Sequence, residues 1–255
     1  MLASTRQDAV RSLLRSEGAV TVNRLVEQFD VSIETVRRDL LTMEKAGLLR
    51  RVHGGAIPVN DMVPFQPLKS RFNVQNSQKD ALCRTAAQLV EDGDYIAIGT
   101  GSTPVHFAQI LREKFNSLTV VTYSPQVFQV LEDKPDFELI LVGGKYLPEE
   151  NAFCGQLTLD ALQQLHVQKS FVFPSTISLE HGICGYEQTL YPQQRMLLQH
   201  CDQGYILADS SKFERKALYR IDDMRPEYIY VTDSHLSLEL RQIYEENGRR
   251  IVVGE

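Results

Sequence analysis

Two stretches of this 255-residue chain hold residue types at spacings that could do chemistry. The first is Gly99-Thr100-Gly101-Ser102-Thr103, just ahead of a helical segment from about Pro104 to Lys114. Glycines and small residues that open a helix leave backbone N–H groups free to meet an anion, and the helix dipole favours negative charge there. The hydroxyls add further donors. A glycine turn that merely joins a strand to a helix is an equally available reading. The loop is neither a Walker A motif, lacking the Gly-Lys-Ser/Thr end, nor a G-x-G-x-x-G dinucleotide fingerprint. Related chemistry recurs at Thr122-Tyr123-Ser124, Gly143-Gly144-Lys145, Pro174-Ser175 and Asp209-Ser210-Ser211-Lys212-Phe213. Lys212 could meet a phosphate or a second acid, and Asp209 could hold sugar hydroxyls. Singly, each is more simply a solvated loop residue; five such loops at one edge of one sheet favour a polar, phosphorylated ligand.

The second stretch is Ser32-Ile33-Glu34-Thr35-Val36-Arg37-Arg38-Asp39. Ser32 caps a predicted helix running to about Ala46, with Gly47 as its stop. At roughly 100° per residue, Ile33, Val36, Leu40 and Met43 share one inward stripe. Arg38 and Lys45 then point away from it, Glu34, Thr35 and Thr42 lie on the outer face, and Arg37 sits on the flank. Arginine suits both bidentate guanine contact and phosphate clamping. The following Leu48–Gly55 segment, with Arg50, Arg51, His53 and a glycine pair, predicts a hairpin wing bracing the sugar-phosphate backbone. The expected DNA contacts are Ser32, Glu34, Thr35, Arg37, Arg38, Thr42, Arg51 and His53. A plain three-helix bundle with a solvated charged face is the alternative on periodicity alone.

The elements that must position these residues follow from pattern. Val10, Leu13 and Leu14 mark a first helix over Arg6–Glu17, closed by Gly18; Ala19 and Val20 form a short strand. Thr21 caps a second helix carrying Leu25, Val26 and Phe29, and Asp30-Val31 turns into the third. Residues 57–68 hold three prolines and no period, which predicts a linker between a head (1–56) and a body (69–255). In the body, helical stretches alternate with apolar runs at Tyr95–Ile98, Leu118–Thr122, Leu139–Val142, Phe171–Phe173, Tyr205–Ala208, Tyr228–Val231 and Ile251–Val253. That alternation predicts an α/β fold with a buried, mostly parallel sheet, whose ligands collect beyond the carboxyl ends of the strands.

Composition sets bounds on these readings. The net charge is −6, yet residues 1–56 carry nine basic and seven acidic residues against 18 and 26 in the remainder. A slightly basic head on an acidic body suits a DNA reader joined to a domain with another task. Cys83, Cys154, Cys184 and Cys201 are scattered, without C-x-x-C or paired histidines, so a reduced cytoplasmic protein with no metal and no cofactor is expected. Arg6, Asp8 and Arg11 interrupt any signal-peptide core, and no apolar run reaches the roughly 18 residues of a membrane span.

The string Ser32-x-x-Thr35-Val36-Arg37-Arg38-Asp39-Leu40, followed by Leu49-x-Arg51-x-His53-Gly54-Gly55-Ala56, resembles the signature of the DeoR family of bacterial regulators. The body resembles that family's effector domain over its whole length: Lys79 opens the helix before the first strand, Gly99–Thr103 matches its glycine-threonine loop, Gly143-Gly144 its double glycine, and Asp209-x-Ser211-Lys212-Phe213 its D-x-S-K-F motif. The resemblance implies a sensor fold related to ribose-5-phosphate isomerases and CoA transferases. It also implies a homo-dimer or homo-tetramer that binds double-stranded operator DNA, represses a carbohydrate operon and answers to a phosphorylated sugar or related metabolite. The effector residues it implies are Gly99, Thr100, Gly101, Ser102, Thr103, Ser124, Gly143, Gly144, Ser175, Asp209 and Lys212. The chain departs from the pattern at Ile98-Gly99, where many members carry an acid, near Leu190-Tyr191, where a Glu is often found, and around Pro174–Ser178. Two other functions compete with a ligand-responsive regulator. One is an isomerase- or transferase-like enzyme, although isomerase-type Asp-Gly-Ala-Asp and Lys-Gly-rich motifs are absent and no catalytic residue is assigned. The other is a constitutive DNA binder whose body only oligomerises.

Overall fold

The computed structural model describes residues 2–17, 19–52, 54–59 and 66–254. In the head, α1 (Ala3–Glu17), β1 (Val20–Thr21), α2 (Val22–Phe29) and α3 (Ile33–Lys45) precede the hairpin strands β2 (Leu49–Val52) and β3 (Gly55–Pro58). Both expected caps form: Thr21 Oγ1 accepts from the Arg24 amide and Ser32 Oγ from the Thr35 amide, and Asp30 takes the left-handed turn between them at φ 50°. Val36, Leu40 and Met43 close the inward stripe of α3 against Val10, Leu14 and Leu25. The hairpin pairs β2 with β3, and β1 adds to β3 as a third strand. Ile57 and Pro58 belong to β3 rather than to a linker, because Ile57 is fully buried. Gly18 and His53 lie outside the described residues.

One ion pair inside the head was not expected. Asp39 sits on α3 beside outward Arg38, yet it is buried, and its carboxylate accepts from Arg6 Nε at 2.8 Å. The pair ties α1 to α3 at the helix that presents Arg37 and Arg38.

The body begins with α4 (Leu68–Arg71), α5 (Asn76–Ala86) and a 3₁₀ turn (Ala87–Leu89). Strands and helices then alternate as β4 (Tyr95–Ile98), α6 (Ser102–Lys114), β5 (Leu118–Thr122), α7 (Pro125–Leu131) and β6 (Phe137–Leu141). A hairpin of β7 (Lys145–Leu147) and β8 (Ala152–Cys154) leads to α8 (Gln156–Gln163), β9 (Val167–Val172), β10 (Thr176–Ser178) and β11 (Gly182–Gly185). The chain ends with α9 (Tyr191–Gln199), β12 (Cys201–Leu207), β13 (Tyr219–Asp222), β14 (Ile229–Asp233), α10 (Leu238–Glu246) and β15 (Arg250–Gly254).

The seven sheet strands anticipated from apolar runs all pair in one sheet, ordered β15-β14-β12-β9-β4-β5-β6, and every pairing is parallel. Their runs are continuous rather than alternating because both faces are covered. Ile96, Ile98, Val120, Phe171 and Leu207 face Leu82, Phe107, Leu111 and Leu131 of α5–α7. Ala97, Val121, Val172, Ile206 and Tyr230 face Leu162, Leu197 and Tyr244 of α8–α10. Two small antiparallel sheets, β7-β8 and β10-β11-β13, sit outside this layer and were not anticipated. Head and body are joined by packing as well as by chain: Ala19 and Ile57 belong to the same buried cluster as Phe213, Leu240 and Tyr244.

Breaking a buried pair by removing one partner leaves an uncompensated charge and typically costs about 3–5 kcal/mol. Asp39→Ala is therefore expected to destabilise the head by about 3 kcal/mol, read as an earlier loss of helical ellipticity in urea. Arg38→Ala, one residue away on the exposed face, should shift the same transition by no more than about 0.5 kcal/mol. Equal shifts would deny the Arg6–Asp39 pair its structural role.

Candidate functional site

After β4 the chain makes β5 and β6 on one side, then crosses back to lay β9 on β4's other edge. At such a reversal the loops leaving neighbouring strands diverge and open a crevice at their carboxyl ends. The crevice here is a cleft of about 190 Å³ lined by Thr100–Pro104 after β4, Phe173–Ser175 after β9, and Asp209, Ser211 and Lys212 after β12. Gly101 occupies φ 133° at the start of α6, a region that suits a residue without Cβ. The first residues of α6, Ser102 to Pro104, line the cleft, and the N–H groups of a helix's first turn have no partner within the helix; Pro104 has none to offer. Thr100 Oγ1 donates to the Glu150 carbonyl at 3.1 Å, fixing the loop from beneath.

Four cationic side chains ring this space: Arg71, Lys79, Lys212 and Arg215. Arg71 is held by an ion pair with buried Glu150, and Lys79 Nζ donates to the Arg71 carbonyl. Lys212 Nζ donates to the Pro174 carbonyl at 3.1 Å and lies 3.8 Å from the Asp209 carboxylate. Ser211 donates its hydroxyl to the same carboxylate. Burial, and then the charge of Lys212, push the Lys79 ammonium down to about 8. Burial lowers Lys212 as well, against the opposing pull of Asp209. The cations thus crowd one another around a space that an anion would relieve.

The structure brings Thr100, Gly101, Ser102, Thr103, Ser175, Asp209 and Lys212 together at the cleft. Gly99 is one step below, its amide bonded to the Phe171 carbonyl at 3.2 Å. Ser124, Gly143 and Gly144 stand elsewhere, for a topological reason: they follow β5 and β6, on the far side of β4 from the crevice. Ser124 is fully buried and caps α7. A Cβ on Gly144 would come within 2.1 Å of Thr158 Oγ1, so that glycine permits a close approach to α8. Arg71, Lys79 and Arg215 complete the cationic ring without having been assigned to it. Lys79 carried the only sequence signal, as the residue opening the helix before β4.

On the head, Arg37 and Arg38 are exposed, without ion pairs among the described residues, and Glu34 and Thr42 share their face. Ser32 and Thr35 hydroxyls lie 3.0 Å apart within the cap, and Thr42 donates to the Arg38 carbonyl. Arg37, Arg51 and Glu44 line one groove between α3 and the wing, where Glu44 accepts from the Arg51 amide at 2.9 Å.

The sequence profile of the DeoR-like helix-turn-helix domain matches residues 6–61, and that of the DeoR C terminal sensor domain matches residues 74–234. The chain belongs to the DeoR family. Its relatives include the lactose phosphotransferase system repressor of Staphylococcus epidermidis, 32% identical over 238 residues, covering 90% of this chain and 92% of that one. The repressor of the same name from Lactococcus lactis is 29% identical and covers 91% of each chain. The HTH-type transcriptional repressor GlcR of Bacillus subtilis is 28% identical and covers 100% and 98%. Among solved structures, ribose 5 phosphate isomerase A from Neisseria gonorrhoeae is similar at 16% identity and a TM-score of 0.40, covering 54% and 53%. This DeoR chain is a DNA-binding transcription regulator and not an enzyme. Among the described residues no helix is long and apolar enough to cross a membrane, and no cluster of His, Cys, Asp or Glu could hold a metal ion.

The depressed Lys79 gives the cleft a pH signature. An anion in the cleft would favour the protonated Lys79, so raising the pH through about 8 should remove that proton and weaken binding. Affinity for sulfate, which does not titrate in this range, should fall by up to about tenfold per pH unit above that point. Lys79→Met should bind more weakly at pH 7 and show a shallower dependence, with Lys212, also lowered by burial, left to titrate. A sulfate affinity constant from pH 7 to pH 9 in calorimetry would remove Lys79 from the anion site.

Proposed function

We propose that this chain represses a carbohydrate-utilisation operon and that a phosphorylated sugar or related metabolite, bound in the cleft, controls its grip on the operator. The observation that carries this reading is the ring of Arg71, Lys79, Lys212 and Arg215 around a small crevice that the first residues of α6 also line. A phosphate fits that mixture of hydroxyl, amide and ammonium donors. Asp209 and Ser175, facing the same space, are suited to sugar hydroxyls. The reading draws as well on relatives named as repressors of lactose phosphotransferase systems and of an aga operon.

The head, residues 1–56 with the rest of β3, is the DNA reader in this proposal. Arg37 and Arg38 lead into the major groove, flanked by Ser32, Glu34, Thr35 and Thr42, while Arg51 and His53 of the wing meet the backbone. A homo-dimer or homo-tetramer built through the body would place two heads on a repeated operator, so that half-site spacing follows protein symmetry. Relief of repression by ligand is the sense adopted.

Calorimetry of the full chain against sugar phosphates and their unphosphorylated parents tests the cleft: the phosphorylated forms should bind and the parents should not. Thr100→Val combined with Lys212→Ala should abolish the response to ligand while leaving DNA binding intact, and a double variant that still responds would place the effector elsewhere. On duplexes selected from a random library, Arg38→Ala should weaken binding roughly 5- to 150-fold, the range of one bidentate base contact. Unaltered affinity in a gel shift would take Arg38 off the DNA.

A further inference from the structure

The loop that delivers Asp209, Ser211 and Lys212 to the cleft turns over before it returns there with Arg215. Between them, Phe213 is buried, its ring edge-on to Tyr244 with centroids 5.4 Å apart. Glu214 points the same way and is 2% exposed, with a left-handed φ of 52°. Its carboxylate accepts from the Tyr244 hydroxyl at 2.6 Å and from Arg50 Nη2 at 3.3 Å. Arg50 also reaches Glu180 at 3.8 Å. Arg50 belongs to β2, the first strand of the wing, and pairs across the hairpin with Ile57, which is buried against the body. One loop therefore touches the cleft through one set of side chains and the wing through another.

We propose that the Asp209–Arg215 loop transmits occupancy of the cleft to the wing, with Glu214 as the positioning residue that acts through Arg50. This rests on the reading of the cleft as an anion site. A left-handed glutamate persists only where its surroundings over-determine it, and a buried carboxylate must keep its partners. Lys212 or Arg215 drawn onto an anion is tied by two or fewer peptide links to that constrained residue. The short loop has no slack to absorb the movement, so it reaches Glu214 and the guanidinium paired with it. Coupling of this kind needs one element whose state both sites bias, and the loop is in contact with both. The rival is that Glu214 simply fastens head to body, in which case the wing would not respond to the cleft.

The test uses the full chain, inorganic phosphate as the probe, and hydrogen–deuterium exchange of peptides covering Leu49–Pro58. In the wild type, phosphate should change wing exchange by about fivefold or more. Glu214→Gln keeps the size of the side chain and an acceptor for Tyr244, and strands only the part-exposed Arg50 in place of a buried charge. That variant should bind phosphate with unaltered affinity in calorimetry yet show no phosphate effect on the wing. If Glu214→Gln does not fold, Arg50→Met removes the same pair from its exposed end and carries the same expectation. A wing that ignores bound phosphate in the wild type, or responds equally in the variants, overturns the coupling and leaves the cleft intact. Phosphate that fails to bind the wild type, or binds Lys212→Ala equally well, overturns the cleft and the coupling with it.

Discussion

The reversal of strand order between β4 and β9 is the constraint on which the rest of this protein depends. A parallel sheet covered on both faces has nowhere to hold a polar ligand except beyond its strand ends, and only at a reversal do those ends part. Here β4, β9 and β12 are neighbours, so the loops after them line one crevice. Thr100, Ser102, Thr103, Ser175 and Lys212 meet there because of that order, whatever their distances along the chain. The same order sends the loops after β5 and β6 away, and Ser124 and Gly144 serve there as a cap and a packing point.

The strands of the sheet were legible because burial on both faces writes itself into sequence as short apolar runs between helices. Their order was not, since Val120 and Val231 are the same residue in the same kind of environment wherever their strands lie. Five polar loops therefore looked equivalent, and only three share the crevice. Helix α3 was legible to the level of single side chains: its angular stripe separated Val36, Leu40 and Met43 from Arg38. Asp39 escaped that reading because its burial depends on Arg6, 33 residues earlier, and an ion pair leaves no periodic trace. Arg71, Arg215 and Glu214 escaped for the same reason. Each is a charged residue in a loop or a single helical turn, where sequence offers no phase from which to infer direction.

Head and body are bound more closely than a proline-rich joint suggests. Ile57 is apolar because it packs beneath the wing onto the body, and β3 carries the head's sheet to the edge of the sensor's core. A head so seated does not move freely about a flexible tether. Its orientation depends on surfaces that the body presents, among them Leu179, Glu180 and Ile243 beside Arg50 and Val52. Regulation by the body then requires a change in those surfaces, and the loop bearing Phe213 and Glu214 reaches from them to the cleft.

The two kinds of charge cluster in this chain show how burial distinguishes structure from binding. Arg6 and Asp39 neutralise one another inside the head. Around the cleft, four cations share two nearby carboxylates, Asp209 and Glu150; Lys79 and Lys212 are both held below the ordinary lysine range, chiefly by burial, with their cationic neighbours adding to it. Additional carboxylates would have relieved that crowding, but they would also have occupied the place of an incoming anion. In the proposed reading, incompletely matched charges leave the missing attraction where a ligand would supply it. The left-handed Glu214, buried two residues from Lys212 and paired with the wing, is then in position to feel the difference between the crowded and the relieved states.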